Sequence, residues 1–342
     1  MLYTQNGGYG QSLLNRLDAI AASVCPAFGR ILIVKSADDS ADRSYQALQE
    51  ICKVDPEGRV RFFNTVAAAY AEAQTNNDDV ILIDGHSAHA VSEMLTVSKS
   101  RVHFVGMDGG GRAIQQGARI VMGVTGVATD LAPILNTGTR NSFRNIKVEN
   151  ASTTDESLYG FIENGEGTYF ENFMSCKTAG LDDANHAHFW LAGDACSGKN
   201  LTFGHSTLQS TAAGFGILID AKTGGGSDSV KELMWENVRV NMSVDNGVVA
   251  TSCFIKIADN AAMKFVNSID GFRGYNFAPP GEAQMTDAIL AAASTTAGEL
   301  FINDPAFFGC AGVGAGSGYG VYITNSGAAP DANGGLALEL TD

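Results

Sequence analysis

The feature that most constrains this chain is a phrase that returns about every thirty residues between positions 142 and 272. An aromatic or aliphatic residue stands shortly before an Asn, and alternating apolar residues follow. The phrase reads SFRNIKVEN (142–150), YFENFMSCK (169–177), MWENVRVNM (234–242) and KFVNSIDGF (264–272). NLTFGHS (200–206) takes the same place between the second and third, with Phe203 where the Asn would stand. Successive positions 145, 172, 203, 237 and 267 are 27, 31, 34 and 30 residues apart. A second phrase alternates with it, a short strand ending in polar turn residues: GFIENG (160–165), HFWLAGD (188–194), GILIDA (216–221) and FIKIADN (254–260). Two strand phrases at one period describe a solenoid whose coils bury their apolar faces by stacking. A β-sandwich, with turn signals at about 8 to 12 residues, fits the long period less well. Asn at a repeated corner can stack on its neighbours and accept left-handed backbone angles.

Composition agrees with many tight turns between short buried strands. Of 342 residues, 45% are apolar, only 17% are charged and 40 are glycine. Helical periodicity nearly vanishes between Val80 and about residue 282. The net charge is −15 and the 22 Lys and Arg residues are scattered, which argues against nucleic-acid binding. No run approaches the roughly 18 apolar residues needed to cross a bilayer. MLYTQNGGYGQSLLNRL lacks a basic leader followed by an apolar core, so synthesis and folding in a host cytoplasm are expected. Cys25, Cys52, Cys176, Cys196, Cys253 and Cys310 are far apart, without a C-x-x-C pair. They read as reduced thiols used as small hydrophobes, not as a disulfide framework or zinc site. No cofactor is expected.

The first eighty residues carry βαβαβ punctuation. SLLNRLDAIAASV (12–24) has a helical stripe, RILIVKSAD (30–38) is β-rich, and a second helix is expected over 41–53 with Tyr45, Leu48, Ile51 and Cys52 on one face. DPEG (55–58) turns into RVRFF (59–63), a strand, and Thr65 caps the alanine-rich helix VAAAYAEAQ. VILID (80–84) is the third strand, followed by His86 and His89. The glycine cluster GGYGQS (7–12) does not follow a strand, so it is no dinucleotide or phosphate loop. His86 and His89 are three residues apart, which places them at a corner with one exposed and one partly packed.

The block FFNTVAAAYAEAQTNNDDVILIDGHSAHAV through EMLTVSKSRVHFVGMDGGGR resembles the start of right-handed parallel β-helix proteins of the pectin-lyase-like type. More narrowly, GRILIVKS, VDPEGRVRFFNT, DDVILIDGH and VHFVGMDGGGR, over roughly residues 29–112, are similar to phage-encoded proteins found beside major capsid genes. The resemblance implies a virion structural protein on the capsid exterior. Its partners would be the major capsid protein and copies of itself, as a homotrimer, with no nucleic acid and no membrane. The expected fold is mainly β: a right-handed parallel β-helix over 80–278, a small N-terminal α/β domain with a capping helix over 1–79, and a C-terminal helix and Gly/Ala-rich β extension over 279–342.

Because that superfamily contains polysaccharide lyases and hydrolases, the chain needs a residue-level test for chemistry. Pectin-degrading hydrolases of this fold resemble one another in N-T-D, D-D, G-H-G and R-I-K motifs. This chain has NTG (136–138), DD (182–183), GHS (204–206) and IKI (255–257) in that order. Gly138 stands where the first Asp is needed and Phe254 where the Arg is needed, which removes part of the carboxylate pair and the cation. Asp182, Asp183 and His205 remain a candidate catalytic trio. In GLDDANHAHFW (180–190), Asp182, Asp183, His186 and His188 are a candidate metal set, since His-x-His on a strand points both rings to one face. The competing explanation for both is a polar turn projecting from a coil. No G-x-S-x-G motif occurs, so serine-type acyl transfer has no support in sequence.

Near the C-terminus PPGEAQMTDAILAAASTTAG (279–298) suggests a helix over about 282–293, and GVYIT (320–324) and LALEL (336–340) suggest strands. Such a tail cannot build a large core of its own; it can cap the last coil, cover a sheet edge or pack against a neighbouring subunit. The function expected from these readings is non-enzymatic: decoration or cementing of a capsid surface. The alternative is a tailspike or receptor-binding β-helix that binds or depolymerises polysaccharide.

Overall fold

A computed structural model describes residues 29–54, 58–107, 118–123, 130–222, 230–258, 263–277, 284–291, 298–314, 321–324 and 335–336. The helix expected over 12–24 lies outside these residues, as do Cys25 and most of the tail beyond Thr324. The described strands wind as a three-sided parallel coil. One face runs through Ile31–Val34, Asp79–Ile83, Val102–Gly106, Ser142–Arg144, Phe265–Asp270, Gly298–Asn303 and Val321–Thr324. Between the fourth and fifth of these it takes in the leading halves of Tyr169–Lys177, Ser197–Gly204 and Met234–Met242. The trailing halves of the same three strands belong to the second face, with Ala88–Val91, Arg119–Met122, Lys147–Asn150, Arg273–Asn276 and Ala306–Phe308. The third face stacks Leu95–Val97, Ile134–Asn136, Ile162–Glu163, His186–Leu191, Gly214–Ile219, Cys253–Ile257, Met285–Ala291 and Cys310–Gly314. All these pairings are parallel; Gly335–Leu336 joins its neighbour antiparallel, and an isolated antiparallel bridge links Val54 and Val60. The fold is the parallel β-helix expected from the repeat, of the right-handed kind that the resemblance implies.

The corner between the first and second faces explains the repeated Asn. Asn145, Asn172, Asn200 and Asn237 adopt φ of 56°, 47°, 57° and 53°, the left-handed region in which Asn costs less than most residues. Their amides form a ladder: Asn172 Nδ2 donates to Asn145 Oδ1 at 2.8 Å, Asn200 to Asn172 at 2.9 Å, and Asn237 to Asn200 at 2.8 Å. Two expected corner positions are corrected. Asn200, not Phe203, occupies the corner, and Phe203 points into the core. In the next coil Gly271, at φ 66°, turns the corner instead of Asn267. Asn267 is fully buried, and its Oδ1 accepts from the Leu233 N–H at 3.0 Å while its Nδ2 donates to the Lys264 and Glu299 carbonyls.

Register stacks like on like inside the coil. Phe104, Phe143 and Phe170 follow one another on the first face, with ring centroids 4.9 and 5.6 Å apart and nearly parallel planes. Phe161 and Phe189 repeat the arrangement on the third face at 5.5 Å. Each such pair adds about 0.5–1.5 kcal/mol beyond the burial of its area. The five described cysteines are buried, and burial raises the thiols of Cys176, Cys253 and Cys310 to about 12, which suits small apolar fillers.

At the N-terminal end the sheet begins with Ile31–Val34, between Phe62–Phe63 and Asp79–Ile83. Alternate residues serve two cores: Leu32, Val34, Ile81 and Ile83 face the solenoid, while Ile31, Ile33, Val80 and Leu82 face outward. Helix α1 (Arg43–Cys52) covers that outer side with Tyr45, Leu48 and Cys52. Helix α2 (Val66–Glu72) starts at Thr65, whose Oγ1 accepts from the Ala68 N–H, and lays Val66, Ala69 and Tyr70 on the end of the main core. At the other end the helix expected over 282–293 is a strand, Met285–Ala291. Met285, Ala288 and Ile289 are buried there, and the segment pairs with the coils before and after it. Tertiary pairing overrides the helix propensity of its alanines.

Candidate functional site

The sequence-nominated residues meet at the corner between the second and third faces. His186 and His188 lead the strand His186–Leu191 and are buried, Asp182 is exposed, and Asp183 is partly buried. Each ring is already engaged. His186 Nδ1 donates to the Asp183 carbonyl at 2.8 Å and its Nε2 accepts from Ser210 Oγ at 2.9 Å. His188 Nδ1 accepts from the Lys177 N–H at 3.1 Å. Burial, helped by His186, His205 and Lys177, drives the His188 pKa down to about 3, so the ring stays neutral. His205 receives the Thr207 N–H and hydroxyl at 3.2 and 3.0 Å.

The charges of this corner also hold the loop in place. Lys177 is fully buried, donates to the Ser152 carbonyl at 2.6 Å, and has its pKa lowered by burial to about 8 against the opposing pull of Asp183 and Asp182. A Cβ on Gly180 would stand 2.8 Å from Asp183 Oδ2 and 3.0 Å from Lys177 Nζ, so the carboxylate and the ammonium flank that glycine. Among the described residues no group of three or more His, Cys, Asp and Glu side chains is placed to hold a metal ion. The corner brings Asp183, His186 and His188 together, and spends their hydrogen bonds on the turn itself.

His86 and His89 have partners that local sequence could not reveal. The strands Ile31–Val34 and Asp79–Ile83 deliver Lys35 and Asp84 side by side, with Nζ 2.7 Å from Asp84 Oδ2. Asp39 and Asp42 approach the same ammonium at 3.5 and 3.9 Å. Ser87 Oγ donates to Asp39 Oδ1 at 2.6 Å, and the exposed His86 ring lies 3.8 Å from the same oxygen. His89 is buried, its Nε2 donates to the Asp84 carbonyl at 2.7 Å, and burial lowers its pKa. One buried lysine thus ties three carboxylates to the entrance of the solenoid. The only signal for it in sequence is a charged loop (35–42) following an apolar strand.

Two surface features run along the corner between the third and first faces. Its left-handed residues are Asp78, Arg101, Arg140, Gly167, Ala195, Glu232 and, at the far end, Phe265. Over the earlier coils this edge forms a polar groove of about 460 Å³ lined by Asn76, Ser100, Arg101, Arg140 and Glu166. Over the later coils it turns apolar: Met234, Phe265 and Val266 are 62%, 64% and 58% exposed. Further aromatic pairs lie on the outer surface of the same coils. Tyr275 stacks on Phe308 and Phe301 on Tyr322, both in register and both with centroids 4.9 Å apart.

No protein-family model and no curated protein matches the chain. Among solved structures it is similar to a mutant pectin methylesterase in complex with a hexasaccharide, with TM-score 0.44 and 13% identity over 85% of this chain and 92% of that one. It is also similar to pectin methylesterase PemA from Erwinia chrysanthemi, with TM-score 0.43 and 12% identity over 86% and 92%. ORF18 of Geobacillus virus E2 gives TM-score 0.39 and 11% identity over 77% and 56%. The coil register, and not these likenesses, establishes the β-helix, and no chemistry is transferred from them.

Proposed function

We propose that this chain is a structural part of a bacteriophage virion, decorating or cementing the capsid exterior as a homotrimer against the major capsid protein. The observation that carries this reading is the set of apolar side chains exposed on the later coils, where Met234, Phe265 and Val266 stand more than half exposed. Large apolar side chains left this exposed mark a place where another protein is bound. The phage-like stretch 29–112 supplies the setting. A stiff solenoid bound to many capsomers stabilises a shell by mass action, without turnover. The hydrogen bonding of Asp183, His186, His188 and His205 supports a structural role for the residues that the sequence nominates for chemistry.

A tailspike or receptor-binding role with polysaccharide is the second reading, favoured by the polar groove lined by Arg101, Arg140 and Glu166. An electron cryomicroscopy map of the purified particle separates the two: density on the head is expected, and a fibre at the tail overturns the proposal. In parallel, Asp182→Asn and Asp183→Asn should leave particle assembly unchanged. Depolymerisation of host capsule that these changes abolish would contradict the structural role.

A further inference from the structure

Three residues from three successive coils, far apart in sequence, form a continuous hydrogen-bonded line beside the polar groove. Ser142 begins its strand on the first face, and His103 is its in-register neighbour one coil earlier. Ser142 Oγ lies 2.9 Å from His103 Nδ1, and His103 Nε2 lies 3.3 Å from Asp78 Oδ1. Asp78 accepts only, so the ring proton sits on Nε2 and leaves Nδ1 to accept from the Ser142 hydroxyl. Arg101 fixes the same carboxylate, with Nε donating to Asp78 Oδ1 at 2.9 Å and NH2 paired to Oδ2. Arg101 also lines the groove, as does Arg140, two residues before Ser142. Arg144, two residues after Ser142, projects from the same face and covers the Tyr169 ring at 4.6 Å.

We propose that Ser142, His103 and Asp78 form a serine acyl-transfer site for short acyl esters. A nucleophile, a base within hydrogen-bond reach and a third group that orients the base are the geometry such chemistry requires. Ser142 Oγ adds to the ester carbonyl carbon while its proton passes to His103 Nδ1. The bond from that carbon to the alcohol oxygen breaks, and the alcohol leaves with the proton from Nδ1. Water then attacks the acyl-serine, gives a proton to Nδ1, and restores Ser142 while the carboxylic acid is released. Asp78 is a positioning residue that holds the imidazole. Ser142 is 3% exposed, which limits the acyl group to a short one such as acetyl. His103 is kept neutral by burial and by the charges of Arg144 and Arg101, against the opposing effect of Asp78, and a neutral ring is what a base must be.

The site does not depend on the capsid role and is tested on the purified full chain. Treatment with a small fluorophosphonate should add one phosphonyl group, which peptide mapping places on Ser142. The same protein should hydrolyse p-nitrophenyl acetate with a rate that rises with pH as His103 loses its proton. Ser142→Ala should abolish both with circular dichroism unchanged, His103→Gln should reduce labelling at least tenfold, and Asp78→Asn should lower the rate and alter the pH profile. An unlabelled wild-type protein, or one labelled equally in Ser142→Ala, overturns the proposal whatever the variants do.

Discussion

Glu163 carries a carboxyl group into the solenoid interior, at a position where the next coil places Leu191 in register. Asn136 Nδ2 donates to both of its oxygens at 2.9 Å, and the Gly165 N–H and Thr168 hydroxyl donate to Oε1 at 2.7 and 3.0 Å. Burial nevertheless dominates and raises the pKa from 4.5 to about 8. The folded protein therefore keeps a proton that the unfolded chain releases between those values. Stability is fully present below about pH 4.5 and falls as pH rises towards 8, by at most about 1.4 kcal/mol per pH unit. Urea unfolding across that window should show the decline, and Glu163→Gln should flatten it whatever its effect on the baseline. A slope unchanged in Glu163→Gln would assign the pH dependence elsewhere. Nothing in IENG marks this residue in sequence, where a Glu before Asn-Gly reads as part of a polar turn.

At the scale of elements, the corner ladder decides how far one coil fixes the next. Asn172 both donates to Asn145 and accepts from Asn200, from a backbone at φ 47°. Asn172→Ala loses two hydrogen bonds of about 1 kcal/mol each and adds about 1 kcal/mol of left-handed strain. Asn172→Gly loses the bonds and keeps the angle, so chemical denaturation should find it less damaging than Ala by about 1 kcal/mol. Equal losses would mean that the angle is relieved by movement of the corner. The ladder also shows why three of the five expected corners, Asn145, Asn172 and Asn237, were legible in sequence. SFRN, YFEN and MWEN share the spacing from aromatic to Asn, but in the coil between them Asn200 follows Ser-Gly-Lys, without an aromatic. Phe203 then drew the alignment three residues too far. The strand Met285–Ala291 was hidden for a different reason: its buried Met285, Ala288 and Ile289 are also spaced for a helix.

Over the whole molecule, a period near thirty was enough to give the solenoid and three of its corner asparagines, while the capping helix was legible from Thr65 before VAAAYAEAQ. Contacts between coils were not readable, because partners such as Lys35 with Asp84, or His103 with Asp78 and with Ser142, lie 25 to 49 residues apart and depend on register. The same stacking gathers exposed Met234, Phe265 and Val266 onto one edge, although 30 residues of sequence separate the first two. We propose that the homotrimer forms through that edge, the part of the functional account that solution measurement reaches first. Sedimentation velocity of the purified chain at micromolar concentration should report three times the 35.8 kDa chain mass, and the Met234→Ser, Phe265→Ser, Val266→Ser triple variant should sediment as a folded monomer. A wild-type chain that remains a monomer at that concentration, or a triple variant that still forms trimers, would contradict the account.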